Sequence, residues 1–112
     1  MSANPGVCVL VGRPTLARAL SRLLSERLGA AVRVASTAEA QVPERVVLTT
    51  TVDCTVPRCA SMAAEGKQLV VLAAMPSGSE KLGYLAAGAK AYVAMEVDAG
   101  PLVRAITDLL QR

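Results

Sequence analysis

The side chains able to do chemistry are few, and most stand at the ends of apolar runs. There are three cysteines, Cys8, Cys54 and Cys59, and no histidine. Cys54 and Cys59 are close enough in sequence, in a flexible-looking loop, to form a reversible disulfide, whereas Cys8 lies inside an apolar run and reads as inert packing. A zinc site would need all three thiols plus a carboxylate, so neither a metal nor a cofactor is expected. The second group is Arg13 with Thr49 and Thr50. A guanidinium and two hydroxyls beside a helix N-terminus can hold an anion or a small ligand; the plainer reading of Arg13 is a solvated loop residue. A thiol or hydroxyl at a sheet rim would also suit a small phosphocarrier or α/β enzyme, although Cys8 falls within its strand rather than after it. Asp53 follows closely on Thr50 with no second carboxylate nearby to share a metal, so it is not expected to accept phosphate.

Composition narrows the field. Hydrophobic residues make up 53% of the 112-residue chain and aromatic ones only 2%, so a core must be built from branched aliphatic side chains. Without stacking aromatics, single-stranded nucleic acid is a poor partner. The net charge of +3 is spread along the chain, with Arg18, Arg22 and Arg27 the nearest approach to a basic group. Such a charge offers duplex DNA little more than weak non-specific attraction. The N-terminus MSANPG lacks the pattern of a signal peptide, and no apolar run reaches the ~20 residues that span a bilayer. A cytoplasmic protein with no membrane contact is expected, as a single domain over 1–112.

The elements that must position these residues follow from hydrophobic period. VCVLV (7–11), LVVLAA (69–74) and AYVAM (91–95) are short continuous apolar runs, as in strands buried on both faces; RVVLTT (45–50) is a further strand whose polar Thr49-Thr50 end should lie at the C-terminal rim, and AVRVAS (31–36) alternates and suits a strand nearer the edge. Between them, Leu16, Leu20, Leu23, Leu24 and Leu28 form one helix stripe, opened by Pro14 and closed by Gly29. One helical turn fits at 37–41 before Pro43, and a short helix over about 57–65. Ser77 to Glu80 matches a capping box for a helix stopped by Gly88, with Leu82 and Leu85 expected to face the core. Asp98 or Gly100 is expected to cap a closing helix that lays Leu102, Ile106 and Leu109 on the sheet. Five β-α units with right-handed crossovers predict an α/β, flavodoxin-like three-layer sandwich, its five-stranded parallel sheet ordered 2-1-3-4-5, with helices two and three shortened.

In this order the chain resembles a receiver domain of bacterial response regulators, in particular the LuxR-type (NarL/FixJ-like) kind. VCVLVGRPTLARAL stands where that family has a strand ending in paired acids, and LAAGAKAYVAMEVDAGPLVRAITDLL is similar to its AGADGYLLKDASPEELLRAI. The resemblance implies a phosphorylation pocket built from two metal-holding carboxylates, an aspartate nucleophile, a hydroxyl and a lysine. Here those positions hold Val11 and Gly12, Thr50, Ala73 and Met95, so the pocket is degenerate. Ala73 and Met95 keep the family's separation of 22 residues, which fixes the register over that part of the chain. What the resemblance implies is an atypical receiver acting without phosphorylation, non-enzymatic, regulating transcription through protein contacts and open to modulation by a ligand. Its partners would be a second copy and other signalling or transcription proteins, with DNA touched only by a separate output domain beyond Arg112.

Two surfaces are candidates for such contacts. Tyr92 matches the family's switch aromatic, but with Ala73 in place of the hydroxyl a fixed, partly buried tyrosine is the plainer expectation. Along the closing helix Val103, Ile106 and Leu110 widen the apolar stripe and form the candidate dimer face.

Overall fold

The structure, a computed structural model, describes residues 6–38 and 42–111. Five strands, β1 Val7–Leu10, β2 Val32–Ala35, β3 Val46–Thr50, β4 Gln68–Ala73 and β5 Ala91–Ala94, form one parallel sheet in the order β2-β1-β3-β4-β5. Among the described residues four helices cover it: α1 Pro14–Leu28, α2 Val56–Ala64, α3 Gly78–Ala87 and α4 Gly100–Leu110. This is the expected doubly wound sandwich. The link from β2 to β3 has only a turn at Thr37 and Ala38 before residues 39–41, which lie outside the described residues, as does Arg112.

Alternation along the strands sorts the core into two layers. Val7, Val9, Val46, Leu48, Val70 and Leu72 meet Leu20 and Leu24 of α1 and Leu102, Ile106 and Leu109 of α4. The other face of the sheet, with Cys8, Leu10, Val47, Leu69 and Val71, meets Cys59 and Met62 of α2 and Tyr84 of α3. Strands β1, β3 and β4 have apolar partners on both faces, which is why their sequences are continuous apolar runs rather than alternating ones.

Most stop signals act as expected. Gly29 and Gly88 end α1 and α3 in the left-handed region, at φ 63° and 113°. Ser77 Oγ accepts the N–H of Glu80 at 3.1 Å, and Pro14 occupies the first turn of α1. For α4 the cap is Ala99, without a side-chain bond to the helix; Asp98 Oδ1 instead accepts the N–H of Gly100 at 2.9 Å.

Helix α3 is rotated relative to its expected face. Leu82 is 70% exposed and Leu85 is also exposed, while Tyr84 is the buried residue. The close approach of α2 explains the rotation. A Cβ at Gly83 would lie 3.8 Å from Val56 Cγ2, and one at Gly88 would lie 2.6 Å from Ala63 Cβ. Small residues therefore face α2, and the leucines are turned outward. The Tyr84 hydroxyl locks the arrangement by donating to the carbonyl of Cys54 at 2.6 Å.

Candidate functional site

At the C-terminal ends of the strands, on the α1/α4 side, lies a cavity of about 160 Å³. Its walls include Val11 after β1, Thr50 at the end of β3, Leu72 and Ala74 at the end of β4, and Met95 after β5, with Arg13 and Asp53 also lining it. The fold thus brings together Val11, Arg13, Thr50 and Met95 of the expected site, from segments far apart in sequence. Gly12 joins them through its backbone, because its N–H donates to Asp53 Oδ1 at 2.9 Å.

Two expected members belong elsewhere. Thr49 is buried, and its hydroxyl donates to the carbonyl of Leu10 at 2.8 Å. Adjacent strand residues point to opposite faces, so Thr49 turns toward the α2/α3 layer when Thr50 turns toward the cavity. The anion cluster of Arg13, Thr49 and Thr50 is therefore not assembled. Ala73 is fully buried between Leu72 and Ala74, which line the cavity while it does not, again by alternation.

Asp53 was undervalued in the sequence. Besides the Gly12 N–H, its carboxylate accepts the Thr50 hydroxyl at 2.6 Å through Oδ2, and its own N–H donates to Thr50 Oγ1 at 3.1 Å. The signal was present: a Thr followed three residues later by Asp favours a turn closed by side-chain bonds. It placed the carboxylate over Thr50; only the fold placed Gly12 beneath it.

The cysteines are the clearest correction. Cys54 and Cys59 are buried rather than exposed in a loop, and Cys59 lies within α2; both are free thiols. Burial, reinforced by the neighbouring Cys59 and Asp53, pushes the Cys54 thiol up to about 11, and burial raises Cys59 too. Thiols held in this way have little thiolate at neutral pH, which disfavours both oxidation and nucleophilic attack. Cys8 is buried in β1 as expected. No group of three His, Cys, Asp or Glu side chains placed to hold a metal occurs among the described residues.

On the neighbouring edge, Tyr92 is half-buried and fixed. Its hydroxyl donates to Glu80 Oε1 and accepts the N–H of Ser77, the latter at 3.2 Å, tying β5 to the start of α3. The ring lies 6.1 Å from that of Tyr84. Along α4, Ile106 is fully buried in the α1/α4 core layer, which removes it from the candidate dimer face, and Leu110 packs partly against the same core. Val103 remains half-exposed. No helix among the described residues is long and apolar enough to cross a membrane.

No protein-family model and no curated protein sequence matches the chain. Solved structures do match it. A LuxR-family two-component response regulator from Aurantimonas sp. SI85-9A1 superposes with a TM-score of 0.80 at 18% identity, over 95% of this chain and 84% of that one. A response regulator receiver protein from Pseudomonas putida gives 0.78 at 17% identity, over 96% and 99%. A Burkholderia pseudomallei response regulator, whose structure holds a phosphorylated aspartic acid, a calcium ion and citrate, gives 0.73 at 18% identity, over 95% and 68%. The fold is that of response regulator receiver domains.

Proposed function

We propose that this chain is an atypical, LuxR-type receiver module that signals without being phosphorylated, through contacts with a second copy and with other regulatory proteins. The observation that carries this reading is the make-up of the cavity walls. Where the receiver resemblance requires two metal-holding acids, an aspartate nucleophile and a lysine, the cavity has Val11, Thr50 and Met95, with Gly12 beside it bonded through its amide to Asp53. The carboxylate that does reach the cavity, Asp53, already accepts a hydrogen bond on each oxygen. Phosphoryl transfer depends on a divalent cation and a cationic side chain to offset charge on the phosphoryl oxygens. A single engaged carboxylate gives a divalent cation no paired acids, and a methionine stands where the resemblance requires the lysine, leaving Arg13 as the cationic side chain on the cavity wall.

Incubating the chain with acetyl phosphate and Mg²⁺ and weighing it intact is the direct test. The expected result is no change in mass. A phosphoryl adduct that disappears in Asp53→Asn or Thr50→Ala would overturn the reading and return the chain to phosphotransfer.

Signalling by contact needs surface, and the rim side carries it. Met75, Leu82 and Val97 are large apolar residues left well exposed, with Val103 half-exposed on α4. In this reading α4 contributes to a homodimer, any effect on transcription passes through partners, and DNA is contacted by a separate output domain. Sedimentation of Val103→Glu against wild type tests the α4 face: a dimer converted to monomer supports it, and an unchanged mass excludes it.

A further inference from the structure

Two loops at the rim, 41 residues apart in sequence, are joined by one side chain. Asp53, in the loop from β3 to α2, places Oδ1 on the N–H of Gly12 in the loop from β1 to α1, and Oδ2 on the hydroxyl of Thr50. The loop carrying it is itself well ordered by backbone bonds, with the N–H groups of Asp53 and Cys54 both donating to the carbonyl of Thr50, at 3.2 and 3.0 Å. We propose that Asp53 is a built-in anion for this rim. It takes the backbone amide that an external anion would use, straps the two loops together and closes one side of the cavity.

Three observations converge on this. The bonds are charge-assisted, and such bonds are roughly twice as strong as neutral ones. The absence of a side chain at position 12 is required, since a Cβ there would lie 2.8 Å from Asp53 Oδ1. Arg13, next to the bridged amide, lines the same cavity wall as the carboxylate. An added anion therefore has to displace the aspartate before it can reach Gly12. A neutral ligand entering among Leu16, Leu72 and Met95 meets no such competitor. The strap stands whether or not the domain signals as proposed above, because it concerns only the chain's own rim.

Amide hydrogen exchange and a titration with inorganic phosphate, both on the ¹⁵N-labelled full chain, test it. In wild type the Gly12 amide is protected, and in Asp53→Ala it exchanges about tenfold faster or more, the change expected on losing one charge-assisted bond, while Val70 in the core is unchanged. Gly12→Ala, which pushes the carboxylate away by contact, loosens the 51–54 loop in the same way. Phosphate shifts the Gly12 signal in Asp53→Ala and leaves it in place in wild type. Should Asp53→Ala fail to fold, Asp53→Asn keeps the shape without the charge, and a smaller acceleration in the same direction is expected. Equal Gly12 exchange in wild type and variant, or the same phosphate response in both, overturns the proposal.

Discussion

The two ends of the sheet treat charge in opposite ways. At the N-terminal ends of β3 and β4, Glu44 is only 3% exposed and accepts two bonds from Arg33, at 2.7 and 3.0 Å. Lys67 adds its ammonium to the carbonyl of Glu44 at 3.1 Å and to that of Val42. This cluster ties β2 to the segments entering β3 and β4. At the opposite rim, where a receiver fold gathers acids and a lysine, there are hydroxyls, a methionine, an exposed arginine and one aspartate held by its own neighbours. One end of the sheet therefore holds an ion pair whose carboxylate is buried, and the other lines its cavity with apolar side chains beside one internally bonded carboxylate.

That contrast can be broken by measurement. The largest effect is expected from Glu44→Ala, which strips Arg33 of its carboxylate partner while leaving the main-chain carbonyl that Lys67 uses, and should cost about 2 kcal/mol in urea unfolding. A loss no larger than that of Asp53→Ala would erase the distinction between the two ends.

Acidification comes next. Hydrogen bonds from Arg33, aided by the Arg33 and Lys67 charges and opposed by burial, hold the Glu44 carboxyl below its ordinary value of 4.5. A carboxyl depressed in the folded state stabilises the fold above its unfolded value and loses that contribution as pH falls through the folded one. The urea midpoint should therefore drop on acidification below about pH 4.5, and Glu44→Gln should flatten that drop. An unaltered pH profile in the variant would show that other acids govern it.

The two tyrosines give a smaller and sharper contrast. Tyr84→Phe removes a buried bond to the Cys54 carbonyl and should cost about 1–2 kcal/mol, whereas Tyr92→Phe, at a half-exposed site, should cost under about 0.5 kcal/mol. Equal losses would mean that Tyr92 carries more of the rim than its exposure suggests. Thr49→Val, which leaves the Leu10 carbonyl without its side-chain donor, should cost less than about 0.5 kcal/mol in thermal unfolding, because that carbonyl sits in the sheet ladder. A much larger loss would make Thr49 part of the rim rather than of the sheet.

Much of this was legible in the sequence where the signal is local. A continuous apolar run such as VCVL reads as a doubly covered strand because both faces demand apolar side chains, and Gly29 and Gly88 mark helix ends because glycine tolerates the left-handed backbone at little cost. The separation of Ala73 and Met95 leads to the C-terminal rim, where Met95 lines the cavity and Ala73, one residue round on β4, does not. Side-chain direction was less legible. Thr49 and Thr50 look like one cluster in the sequence although strand alternation sends them apart, and the spacing of Leu82 and Leu85 suggests an inward face because period alone does not say which neighbour a short helix will meet. The cysteines show the same limit: the spacing of Cys54 and Cys59 suggested a loop, and only the packing of α2 and α3 buries both.

By itself, then, the sequence determined the layers and the strand order, since these depend on residue type and on periodicities of two and about three and a half residues. The tertiary structure alone decided that α3 turns on Tyr84, that Ile106 belongs to the core, and that Asp53 reaches back to Gly12. Each of those depends on the distance between segments far apart in the chain, and no local pattern encodes such a distance.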